Sequence, residues 1–361
     1  MTVNVHEGPH GYTPLLFLGT KEGREEFASF RASWEKERGK LTLIDDLLRE
    51  ENAEYGLLLD PTFLARGEKP PFPFDASLDG TWVVYPWRSV AVHVLPEEAF
   101  KALRLSRNKD LITAEEGRLL ASKTIAIAGL NVGNPAAICL AQEGIGNKFR
   151  MADNDTLALS NLNRFRAGLP DLGENKAVLS ARQAYEIDPF LAIEVWPDGI
   201  AKDNLERFIT DADIVVEEMD NLPLKILLRE EARKKKKPVV MVTGNGHDII
   251  LDIERFDTTP DLPLLSGKLT KDVIDAVAKK LPFEEKIALA RDFMGREYLS
   301  DRLNDSFDKV GKTLIGIPQL AEASFLRGAV LAHAIRDILL GVPVESGRYA
   351  FGLSQLYTVR S

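Results

Sequence analysis

The stretch TIAIAGLNVGNP at residues 124–135 decides how this chain is read. It opens as a short apolar strand and turns at Gly129. It then passes Gly133 and reaches Pro135, which suits the first position of a helix expected over residues 135–143. Glycines after a strand let the backbone approach phosphate oxygens at a helix N-terminus. Asn131 and Asn134 tolerate left-handed backbone and carry hydrogen-bonding groups. Alone, such a loop is also compatible with a plain strand-to-helix turn.

The sequence downstream strengthens the reading. Apolar strands are expected at NKFRMAD (147–153), AIEVW (192–196), ADIVVE (212–217) and PVVMVT (238–243). Helical patterns separate them at residues 174–187, 202–209 and 221–235. Strands that alternate with helices and read as continuous apolar runs predict a parallel sheet covered on both faces. The expected class is α/β, a Rossmann-like doubly wound, mostly parallel sheet, with DIILDIERF (248–256) extending it. Chemistry in such a sheet belongs just past the carboxyl ends of its strands.

Upstream, residues 1–110 read as a separate N-terminal α+β domain. Phe27, Phe30 and Trp34, and then Ile44, Leu47 and Leu48, recur at helical spacing. KPPFPF (69–74) interrupts them, and TWVVYPW and SVAVHVL read as two strands, with His93 on a strand face. Residues 111–256 form the nucleotide-binding-type domain. Residues 257–361 are expected to be mostly helical and to pack on the sheet, with one long amphipathic helix at 319–340. Two or three domains suit a length of 361 residues.

Composition excludes several classes. A net charge of -9 argues against a general nucleic-acid or anionic-membrane binder. No apolar run is long enough to span a bilayer. The N-terminus lacks a basic segment followed by an apolar one, so no signal peptide is expected. A single cysteine, Cys139, rules out an internal disulfide or a cysteine zinc site made by this chain alone and fits a cytoplasmic setting. Cys139 reads as a small core residue of the first helix.

The chemistry-bearing residues sit at the expected strand ends. Asp153 lies 24 positions past Gly129, where an acid accepts ribose hydroxyls, and Asp155 follows. ALSNLNRF (158–165) then supplies Asn161 and Arg164, GENKAVLSAR (173–182) supplies Lys176, and EEMDN (217–221) places Asp220 after the fourth strand. Two cations and a carboxylate around a phosphate-sized space stabilise a transferring phosphoryl group and can hold Mg²⁺. His247, after the fifth strand, reads as a hydrogen-bonded turn residue.

With MADNDTLALSNLNRF, GENKAVLSARQAYEIDP, VVEEMDN and VTGNGHDIILDI, the chain resembles the ThiF-type adenylyltransferases, relatives of ubiquitin-activating enzymes, over roughly residues 104–256. The resemblance implies ATP and Mg²⁺ as cofactors and a C-terminal carboxylate as the group adenylated. That carboxylate belongs to a small ubiquitin-like or sulfur-carrier protein, a peptide or a small acid. It assigns Gly129 and Gly133 to the nucleotide loop and Asp153 and Asp155 to its ribose side. Asn161, Arg164 and Lys176 go to the phosphates, and Asp220 to the metal. RLSRNKDLI (104–112) resembles the segment that lends an arginine to a partner subunit, making Arg107 the candidate finger and a homodimer the expected assembly. The family's paired C-x-x-C zinc motifs are absent from this sequence, so no zinc is expected. With Cys139 read as core, the activated acyl group should pass to a nucleophile outside this chain. Two other readings stand: a non-catalytic nucleotide-binding module, and an NAD(P)-dependent oxidoreductase.

Overall fold

The structure, a computed structural model, describes residues 11–45, 47–270, 273 and 282–356. Residues 1–10, and residues 271, 272 and 274–281 of the mostly helical part expected over 257–361, lie outside the described residues. The chain divides into two compact units. The first holds residues 1–114 together with Tyr185–Phe190, and the second holds Glu115–Ala184 and Leu191–Ser361.

The first unit runs β1 (Leu15–Leu18), α1 (Lys21–Arg38), β2 (Thr42–Ile44), α2 (Leu47–Leu59), α3 (Thr62–Arg66), β3 (Thr81–Tyr85), β4 (Val90–Val94) and α4 (Glu97–Arg104). Its sheet has the order β1-β3-β4-β2. Thr20 starts α1 by accepting a hydrogen bond from Gly23 N–H. Phe27 and Trp34, on the buried face of α1, form the core with Phe17 and Val84. Ile44 is a correction: it belongs to β2, paired with Val92 of β4, because its branched side chain suits a pleated edge. His93 is buried on β4, stacked on Trp82 and hydrogen-bonded to Asp45 through Nδ1 at 2.7 Å.

The second unit begins with α5 (Ala114–Ala121), whose first residue is the last of the first unit. It continues with β5 (Thr124–Ala128), α6 (Leu130–Glu143), β6 (Lys148–Ala152), α7 (Lys176–Ile187, whose last three residues belong to the first unit) and β7 (Ala192–Trp196). Next come α8 (Leu205–Ile209), β8 (Ile214–Glu217), α9 (Leu222–Lys234), β9 (Val239–Asn245) and β10 (Asp248–Glu254). The C-terminal part adds α10 (Phe283–Met294), α11 (Asp301–Phe307), α12 (Ala321–Leu339) and β11 (Gly347–Gly352). The sheet order is β11-β10-β9-β8-β5-β6-β7. β5 to β9 are parallel, and β10 and β11 close one edge antiparallel. The order reverses between β5 and β8, and that switch point is where an open α/β sheet takes its ligand. This is the Rossmann-like α/β architecture, with helices added at the C-terminus. Strand β11 was not expected there.

Two features of the core bear on the site. α12 packs on α6 and β9. Gly328 permits the approach, since a Cβ there would stand 2.7 Å from Pro135 O. Behind β8, Glu217 is fully buried and bonded to Lys225 (3.0 Å) and Arg229 (2.5 Å), and Arg229 also holds Glu254 (2.6 Å). Buried charges persist when each is paired and hydrogen-bonded in this way.

Candidate functional site

The glycine turn is tighter than its sequence suggests. Helix α6 starts at Leu130, directly after Gly129, and not at Pro135. Gly129 has φ 90°, and a Cβ there would lie 2.4 Å from Glu218 O, so only glycine fits between β5 and the chain leaving β8. Gly133 serves packing: its Cβ would lie 2.6 Å from Ile127 Cγ2. Asn134 is a second correction. It is a fully buried helical residue whose Nδ2 donates to Ser180 Oγ (3.0 Å) and Gln183 Oε1 (2.8 Å) on α7, and these tertiary bonds override its preference for turns.

Asp153 directly follows β6, against this turn. Its Oδ2 accepts from Leu130 N–H at 2.6 Å and its Oδ1 from Asp155 N–H at 2.8 Å. Burial raises its pKa, against the pull of those two N–H groups and of Lys176. Lys176, at the start of α7, is buried and bonds Asp155 Oδ2 at 2.9 Å. Sequence reading passed over Asn175. Its Oδ1 accepts from Ala177 and Val178 N–H, capping α7, and its Nδ2 donates to Asp153 O and Pro197 O. An Asn immediately before a helical run was the available signal.

Asn161 is buried and accepts from Ala158 N–H at 3.1 Å, closing the turn that precedes Arg164. Arg164 Nη1 donates to Ser160 O (3.0 Å) and Asn163 Oδ1 (2.7 Å), while its Nε is buried without a partner. Burial lowers its pKa, and the charge of Asp220 opposes that shift. Of the expected residues, Lys176 and Asp155 form an ion pair, while Asp220 acts on Arg164 through its charge, with no salt bridge between them among those found between described residues. Arg107 lies in the first unit, in the short turn Ser106–Asn108.

Asp220 is exposed beside a cavity of about 570 Å³ at the ends of β8 and β9. The polar lining includes Glu218, Asp220, Lys286, Gln319 and Arg327. Met241, Leu289, Phe293, Met294 and Ile317 make its apolar walls. Glu218 is buried and accepts from Val242 N–H at 2.6 Å, and burial pushes its carboxyl well above the usual range. Arg327, from α12, went unread in the sequence because it looks like one polar residue of an amphipathic helix. It is 2% exposed, and burial among Arg164 and Arg166 pushes its guanidinium down to about 10, against the pull of Glu218.

Cys139 is half-buried on α6 rather than in the core, beside Glu143, and burial pushes its thiol up to about 11. His247 occupies the turn between β9 and β10, 3.8 Å from Asp248. Among the described residues, no group of three or more His, Cys, Asp or Glu side chains is placed to hold a metal. No helix among them is long and apolar enough to cross a membrane.

Comparison with known proteins agrees with this fold. The profile of the ThiF family matches residues 105–248. Uncharacterized protein MT1398 of Mycobacterium tuberculosis is 38% identical over 273 residues, 76% of this chain and 38% of that protein. The SAMP-activating enzyme E1 of Haloferax volcanii is 30% identical over 151 residues, 41% of this chain and 53% of that protein. The matched stretch therefore spans about half or less of these curated relatives. The crystal structure of PaaA shares the fold, with a TM-score of 0.50 at 17% identity over 82% of this chain and 78% of that one. Residues 105–248 are a ThiF domain, of the ThiF/MoeB-type superfamily that includes adenylyltransferases.

Proposed function

We propose that this chain adenylates a carboxylate with ATP and releases pyrophosphate. The observation that carries the reading is Asp220 on the wall of a cavity at the ends of β8 and β9, beside the sheet's switch point, with its charge acting on the half-buried Arg164. A carboxylate oxygen attacks the α-phosphorus in line, and the bond to the pyrophosphate oxygen breaks. The reaction needs no covalent enzyme nucleophile, so positioning and charge stabilisation suffice. Arg164 and Lys176 offset the charge growing on the phosphate oxygens. Asp153 and Asp155 take the ribose side, and Asn161 holds the Arg164 turn. Mg²⁺ asks for only one or two carboxylates plus phosphate oxygens, which Asp220 fits, and it would neutralise the leaving pyrophosphate.

A ubiquitin-like or sulfur-carrier C-terminus, a peptide and a small acid are the candidate substrate classes. The high pKa of Cys139 keeps it a thiol, which favours an acyl acceptor outside this chain. Arg107 of a second copy completes the cationic set in a homodimer. The setting proposed is cytoplasmic.

ATP–pyrophosphate exchange tests the site. Asp220→Ala and Arg164→Ala should each lower it by about 10²–10³ while the fold persists, in line with losing one charge-stabilising group. Undiminished exchange in either variant would remove that residue from the site. One observation favours a second reading, a non-catalytic nucleotide-binding module. The Leu130 N–H at the start of α6 is already taken by Asp153. A wild-type chain that binds ATP without any exchange in the presence of acids from each candidate class would support it.

A further inference from the structure

Arg327 is unlike the other buried cations described above. Lys176, Lys225 and Arg229 are each buried and each hold a carboxylate. Arg327 has no salt bridge among those found between described residues. Its Nη1 and Nη2 share one neutral acceptor, Gln319 Oε1, both at 3.3 Å, and its Nε is buried without a partner. A guanidinium carries five N–H donors, so most of this fork is unused. Glu218 acts on it through charge but makes no salt bridge with it among those found between described residues, and Glu218 Oε1 accepts from Val242 N–H. Arg164 and Arg166 add positive charge to the same region. At Gly244 a Cβ would come within 3.0 Å of Arg327 Nη1, so glycine keeps this flank of the fork clear.

A buried cation with so little compensation is completed by an anion. Arg327 lines the cavity, whose walls include Leu289, Phe293, Met294 and Ile317. Such walls suit an apolar body and not a polyphosphate or a sugar. The planar fork matches a carboxylate bidentately.

We propose that Arg327, seated with Gln319, receives the carboxylate of the acyl substrate, and that the cavity takes a compact acid with an apolar body. This assignment deepens the adenylation reading and rests on it for the acid's fate. Arg327 and Asp220 line the same cavity, so a carboxylate held by Arg327 shares it with the residue proposed to hold Mg²⁺.

The test uses the full chain, wild type and Arg327→Met, with hexanoate and benzoate as probes and hexanamide and benzamide as their uncharged counterparts. Calorimetry and thermal unfolding are read for each, with MgATP and pyrophosphate in parallel. Wild type should bind the acids and not the amides. Arg327→Met should melt no lower than wild type, because it removes an uncompensated buried charge, and should bind the acids at least about tenfold more weakly. Its MgATP affinity should stay within about twofold, since Arg164 and Lys176, the groups proposed to meet the phosphates, are untouched. Acids that fail to bind wild type, or that bind Arg327→Met equally well, overturn the proposal. So does a variant that loses pyrophosphate binding in place of acid binding. If Arg327→Met does not fold, Arg327→Lys keeps the charge without the fork, and undiminished acid binding there overturns it. If neither protein binds MgATP while acid binding still requires Arg327, the adenylation reading fails and the carboxylate site stands.

Discussion

Asp153 illustrates how much one carboxylate can do at a strand end. Each of its oxygens already accepts a backbone N–H, yet each has a second lone pair, so ribose hydroxyls can still be accepted. Its position was legible because the acid follows a strand at a fixed spacing from Gly129. Arg327 was not legible, because what sets it apart is an absence of partners that only the folded chain reveals. Glu51 offers a test at this scale. It accepts from Leu95 N–H, and burial raises its carboxyl from the usual 4.5 to about 6. Below pH 4.5 the carboxyl is protonated in folded and unfolded chains alike, and it carries no penalty. Between 4.5 and about 6 the unfolded chain gives up the proton first, so stability falls as pH rises, and above 6 the penalty is complete. Gln can accept the same N–H without a charge. Glu51→Gln should match wild type at pH 4 and exceed it at pH 7.5 by roughly 1 kcal/mol, a value discounted for partial exposure. Urea unfolding at the two pH values measures this, and an equal difference at both would rule it out.

At the scale of elements, α6 shows tertiary contacts overriding local preference. Asn131, Asn134 and Pro135 are poor helix formers, which is why a later start was expected. Asn134 instead meets Ser180 and Gln183, and Leu130 is fully buried, so the helix extends back to the strand. The parallel strands were easier to place, because a strand covered on both faces is apolar at nearly every position. Glu217 interrupts that pattern in β8, and it is tolerated because Lys225 and Arg229 reach it from α9. Two helical glycines lead to opposite predictions. Gly117 in α5 has nothing within 4 Å of a would-be Cβ, so Gly117→Ala should stabilise by about 0.5–1 kcal/mol through helix propensity. Gly328 in α12 would drive a Cβ to 2.7 Å from a backbone carbonyl. There the cost of overpacking, about 1–3 kcal/mol, exceeds the same propensity gain. Gly328→Ala should therefore melt lower, and it should weaken acid binding because Arg327 is the neighbouring residue. Thermal unfolding of both variants checks the pair, and a Gly328→Ala protein at least as stable as wild type would mean that α12 does not sit tightly on α6.

At the scale of the whole molecule, the first unit is completed by a piece of later sequence. Glu186 bonds Trp87 and Arg88, and Asp188 bonds Arg104, all within that unit. No local pattern in residues 1–110 could announce an insertion that arrives some seventy positions later. The same unit carries Arg107, whose proposed role needs a second copy of the chain. If each site combines its own Asp220 with the other copy's Arg107, two inactive variants can repair one another. Arg107→Ala retains a good Asp220, and Asp220→Ala retains a good Arg107. In a hybrid dimer, the subunit with Asp220 intact faces a partner with Arg107 intact, so one of the two sites is whole. Random re-pairing of an equal mixture makes half the dimers hybrids, so pyrophosphate exchange should recover to about a quarter of wild type. The two variants assayed separately supply the baseline. A mixture that stays at that baseline after subunit exchange, in a chain shown by light scattering to be dimeric, would place Arg107 outside the shared site.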